Sequence, residues 1–157
     1  MLQKKSCSLN SPVTLAAALA VVLAAAIAAA EDNPVVRTAD SPELEWGPCP
    51  DFMPEGCAIA VLHGNPAEPD ADLFFKVPGG ADIPRHTHTS PERIVLVSGE
   101  LQVRYEGHEQ QTLEPGAYAY GPAGVPHDGA CISDEDCILF IAFVDPVDAM
   151  PAGDSSL

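Results

Sequence analysis

Two glycine-bounded stretches only sixteen residues apart constrain this chain more than anything else in it: residues 80–99 (GADIPRHTHTSPERIVLVSG) and 116–127 (GAYAYGPAGVPH). The first sets His86 and His88 two residues apart with Glu92 four residues later, and the second ends in His127. In a β-strand, side chains two residues apart leave the same face about 7 Å apart along the chain, so both imidazoles can aim at one point. Thr89, Ser90 and Pro91 form a polar, proline-containing break that can turn the chain and return Glu92 to that point before a new strand begins at Arg93. Three imidazoles and a carboxylate suit one divalent transition metal, Fe, Mn, Zn, Ni or Cu, and leave positions open on an ion that takes six ligands. A His-x-His pair alone is more often incidental than metal-bound. Glu92, the flanking glycines and a correctly spaced His127 require several coincidences of that simpler reading, and the metal reading outweighs it.

Short strand-like runs surround these stretches, at residues 58–63, 73–77, 83–88, 93–98, 100–105, 110–113, 117–120 and 137–144. Turns containing Gly, Pro or Asn punctuate most of them, a pattern that predicts an all-β sandwich or barrel with no amphipathic helix. The last run, CILFIAFV, is apolar on both faces, as a central strand covered on both sides requires. Gly99 and Gly116 fall where turns between strands need a positive φ. His63 and His108 close a strand and tip a hairpin, and both read as solvated.

The spacing of the two stretches resembles the cupin family. Gly80, His86, His88, Glu92 and Gly99 fit every defined position of the first cupin motif, and Gly116, Pro122, Gly124 and His127 fit the second. One position departs: Cys131 stands where the family usually has Asn, a residue that is not normally a ligand, so only pocket lining and local packing are affected. The resemblance covers roughly residues 70–145 and implies a jelly-roll barrel with the ligands at its mouth. On that fold Phe74, Phe75, Tyr118 and Tyr120 are candidates to line the pocket, with Tyr118 and Tyr120 the preferred pair because they share strand parity. Cys131 joins them if it points inward with His127. The resemblance further implies a homodimer and two kinds of function. One is a metal-dependent enzyme, an oxygenase, isomerase or hydrolytic enzyme acting on a small molecule. The other is a non-catalytic metal or small-ligand binding or sensing module, similar to the zinc-binding cupin domain of some anti-sigma factors.

The amino end reads differently. Lys4 and Lys5 precede an alanine-rich apolar run from Val13 to Ala30, followed by acidic Glu31, the layout of a secretory signal peptide over residues 1–30 with cleavage after Ala30. The rival is an uncleaved anchor, since the run approaches the ~20 residues of a membrane span, but it is weakly hydrophobic and no positive cluster follows it. Residues 31–56 read as an extended proline-rich and acidic arm, 57–145 as the barrel and 146–157 as a flexible tail. Trp46 would bury a large area by laying the later half of the arm on the barrel.

The formal charge of −16 becomes more negative once Lys4 and Lys5 are removed, which argues against nucleic acid and stable membrane association. Periplasmic or secreted protein fits the cysteines as well. After the signal, Cys49, Cys57, Cys131 and Cys137 remain, an even count. Cys131 and Cys137 bracket a loop of hairpin length and Cys49 and Cys57 bracket PDFMPEG, so two local disulfides are expected, with the other two connectivities open.

Overall fold

The computed structural model describes residues 34–153. The expected signal peptide and its cleavage point lie outside them. Eleven strands form two antiparallel sheets: β1 (Trp46–Pro48), β2 (Ala58–His63), β3 (Asp72–Val77), β4 (Asp82–Thr87), β5 (Glu92–Ser98), β6 (Leu101–Tyr105), β7 (Gln111–Leu113), β8 (Tyr118–Gly121), β9 (His127–Cys131), β10 (Cys137–Phe143) and β11 (Met150–Pro151). The larger sheet runs β1-β2-β3-β10-β5-β8 and the smaller β11-β4-β9-β6-β7. No described residue is helical, and none belongs to a helix long and apolar enough to cross a membrane.

Period-two patterning sends alternate residues between the sheets. Leu73, Phe75 and Val77 of β3, Ile94 and Leu96 of β5, and Leu139, Ile141 and Phe143 of β10 meet Ile83, Leu101, Val103 and Leu113 of the smaller sheet. β10 pairs with both β3 and β5, which explains its unbroken apolar sequence: Ile138 on its outer side is also buried. Gly99 has φ +82° in the turn between β5 and β6, a conformation that strains any side-chain-bearing residue.

Two disulfides join Cys49 to Cys57 and Cys131 to Cys137. The first ties the arm to the start of β2. The arm also adds strand β1, with Trp46 opposite Ala60 and the Lys76 ammonium 4.6 Å above the indole. The second links β9 to β10, and therefore one sheet to the other.

Three strands escape the sequence pattern. β9 (HDGAC) is made largely of small and polar residues. Its Gly129 lies so close to β6 that a Cβ there would stand 2.6 Å from the Gln102 carbonyl. β1 and β11 are too short to show a period. β11 corrects the reading of residues 146–157 as a flexible tail, because Met150 and Pro151 pair with Thr87 and His86 of β4, and Ala152 N–H donates to the Arg85 carbonyl at 3.0 Å.

Candidate metal centre

The site begins with an irregularity in β4. Ile83 lies opposite Gly129 and His86 opposite His127, so Pro84 and Arg85 share one position of the facing strand in a bulge. Proline is tolerated there because its missing N–H costs no ladder bond. The bulge presents the Pro84 carbonyl to His86, whose Nδ1 donates to it at 2.8 Å. His127 opens β9 and donates Nδ1–H to the Val125 carbonyl at 3.1 Å. His88, just beyond β4, donates Nδ1–H to the Asp148 carbonyl. A carbonyl can only accept, so each neutral ring carries its proton on Nδ1 and leaves Nε2 as a bare lone pair. All three histidines are buried, and their ligand atoms lie within 4.8 Å of one another.

Glu92 arrives from the other sheet. Ser90, fully buried, fixes the intervening turn: its hydroxyl donates to the Pro91 carbonyl at 2.8 Å and accepts the N–H groups of Val144 and Asp145 at 3.0 and 2.9 Å. Glu92 Oε2 then lies 3.5 Å from His88 Nε2, and Oε1 lies 3.2 Å from His127 Nε2. Oε1 is buried without a hydrogen-bond partner.

Charge explains how these groups coexist. Burial and then the neighbouring His127 push His86 down to about 4. Burial alone would lower His127 too, but contact with Glu92 and its charge outweigh that and hold this ring above the usual range. Burial would raise Glu92, whereas contact with His127 and the charges of the three rings prevail and hold its carboxyl below the usual range. Tyr105, opposite His127 on β6 with its ring 5.1 Å away, is pushed up by burial and by Glu92. Three inward lone pairs and an orphaned carboxylate oxygen form a set that a cation satisfies, and the three histidines could hold a metal.

A cavity of about 150 Å³ opens on this cluster, walled by apolar side chains that include Met53, Phe75, Ile94, Val103, Leu139 and Phe143. It has room for a molecule about the size of benzene. Of the residues expected to line it, Phe75 does so, whereas Phe74 is buried on the outer side of β3 between Ala60 and Phe140. Tyr118 and Tyr120 are corrected: they point outward and are 61% and 50% exposed. The inner face of β8 belongs to Ala119 and Gly121, opposite Ile94 and Glu92. Cys131 is bound in its disulfide rather than exposed to the cavity. His108 is exposed at a turn, away from the cluster.

Gly121 is a functional position that the sequence reading passed over, although a glycine inside a strand signals close approach. A Cβ there would lie 2.6 Å from Glu92 Oε1 and 2.7 Å from its Cγ. Gly121→Ala is therefore expected to displace the carboxylate and reduce metal affinity about tenfold or more, as read by zinc titration against a competing chelator. Unchanged affinity would show that Glu92 does not contribute.

Comparison with known proteins agrees with the geometry. Residues 73–143 match the family model described as "Cupin domain", and the two antiparallel sheets with their histidine cluster accord with a cupin domain over that segment. Structures of DMSP lyases superpose with a TM-score of 0.63 at 18% identity, covering 71% of this chain and 64% of theirs. DMSP lyase DddQ from Ruegeria pomeroyi gives 0.61 at 20% identity, covering 73% and 64%. The chain thus spans just under two thirds of the length of these lyases. The polyketide cyclase RemF from Streptomyces resistomycificus gives 0.61 at 16% identity, covering 78% and 89%. None of these three is an anti-sigma factor, and at these identities the likeness is one of fold. Among curated protein sequences, none matches this chain.

Proposed function

We propose that His86, His88, Glu92 and His127 hold one divalent transition metal, and that the protein carries out metal-dependent chemistry on a small molecule bound in the adjoining cavity. The observation that carries this reading is the common arrangement of the three rings, each with Nδ1–H given to a backbone carbonyl and Nε2 turned inward. An ion held by these residues would supply Lewis acidity or, as iron or copper, redox chemistry. The chain's own contribution is to fix the ligands, to exclude water with the apolar walls, and to accept a proton. Glu92, once released from the ion, is the nearest residue for that last role: the carboxylates of Asp128 and Asp148, which also border the cavity, are engaged by Arg104 at 2.9 Å and by Thr89. The enzymes among the structural relatives are consistent with a catalytic cupin. We further propose that the protein is exported and works in the periplasm or outside the cell, supported by its amino-terminal apolar run and by two disulfides, which persist in oxidising compartments.

The test is elemental analysis of protein purified from its own compartment, together with the coordination number of the bound ion. One iron or manganese per chain with exchangeable positions supports chemistry at the site. A closed tetrahedral zinc would replace the enzymatic reading with a binding or sensing module, and absence of any metal would remove both.

A further inference from the structure

We infer that Asp148 is a positioning residue for His88, acting from a carboxyl-terminal strap that lies beyond the region matched by the family. The inference rests on the metal reading above and deepens it. Of the three carbonyls that fix the imidazoles, those of Pro84 and Val125 lie two residues from their histidines, on the same strand or its approach. The third is sixty residues away in sequence, so nothing local holds it in place.

The structure holds it by other means. The Asp148 carboxylate grips the residue next to His88: Oδ1 accepts the Thr89 N–H at 2.8 Å and Oδ2 accepts the Thr89 hydroxyl at 2.6 Å. Side chain and carbonyl of one residue thus clamp two successive residues of the ligand turn. On either side the strap is pinned again, by Val147 N–H to the Pro66 carbonyl at 2.8 Å and by Arg85 Nε to the Gly153 carbonyl at 3.1 Å. Val147, Asp148 and Ala149 also form part of the cavity wall. With its carboxylate bound to the two Thr89 donors, Asp148 presents its carbonyl to His88 Nδ1. Partners of this kind fix the tautomer and direction of a ligating ring, and their loss typically costs 10- to 100-fold in metal affinity.

Two readouts on the full chain separate this inference from the metal reading. In metal-free protein labelled with ¹⁵N-histidine, NMR should find His88 as the Nδ1–H tautomer in the wild type. Asp148→Ala should lose that signal in part or whole, and Asp148→Asn should retain it, since an amide can accept from the Thr89 N–H and donate to its hydroxyl. Zinc affinity, measured by chelator competition, should fall about 10- to 100-fold in Asp148→Ala and stay within a few-fold in Asp148→Asn. If Asp148→Ala does not fold, Thr89→Val, which removes one of the two bonds, takes its place with a smaller loss of both signals. An Asp148→Ala protein that is merely less heat-stable, with the His88 tautomer or the zinc affinity unchanged, would overturn the positioning role. A wild type that binds no zinc while the tautomer still shifts as expected would overturn the metal reading and leave Asp148 as the residue that orients His88.

Discussion

His127→Ala is expected to strip the protein of its metal. The ring is buried, directly opposite His86 in the β4–β9 register, and its Nε2 lies 3.2 Å from Glu92 Oε1. If four ligands share a binding energy on the order of 10–16 kcal/mol, each accounts for about 3 kcal/mol, or roughly a hundredfold in affinity. The variant also removes the ring whose contact helps hold the Glu92 carboxyl below its usual range, so the two defects compound. Dialysed His127→Ala should retain no stoichiometric metal, while His108→Ala, on an exposed turn, should bind as the wild type does. Full metal content in His127→Ala would take this residue out of the site.

Removing the disulfide between the sheets should produce a large loss of stability. Cys131 and Cys137 are 1% and 0% exposed, and they close a short loop six residues apart in sequence. In the chain-entropy view a loop of that size contributes roughly 2–3 kcal/mol by restricting the unfolded chain. The paired substitution Cys131→Ala and Cys137→Ala should therefore lower the thermal midpoint by roughly 10 °C in a domain of this size. Calorimetry under non-reducing conditions measures this, and a reductant should bring the wild type toward the double variant. An unchanged midpoint would mean that the bridge adds nothing beyond the packing of the two strands it joins.

The convergence of His86, His88 and Glu92 was largely legible in the sequence because strand geometry converts spacing directly into direction: two histidines two apart, a proline-containing turn, then the carboxylate. The cysteine pairs were legible for a similar reason, since loop length limits which thiols can meet. What stayed hidden depends on space and on backbone groups. Tyr118 and Tyr120 share a face, but which face turns inward is decided by the volume of the Glu92 carboxylate, which only Gly121 admits. The strap of residues 147–153 is held largely by carbonyls and N–H groups that every residue possesses, so no side-chain pattern announces it. β9 hides because its pairing relies on the smallness of Gly129 rather than on apolar alternation.

The disulfide and the proposed metal stand at opposite ends of the same two strands. β9 begins with His127 and ends with Cys131, while β10 begins with Cys137 and ends at Phe143, opposite Glu92. The sandwich is thus riveted covalently at one end, and the proposed ion would lace it at the other. Loss of the proposed ion would leave the two sheets joined through Cys131 and Cys137, so the fold would outlast its exchange.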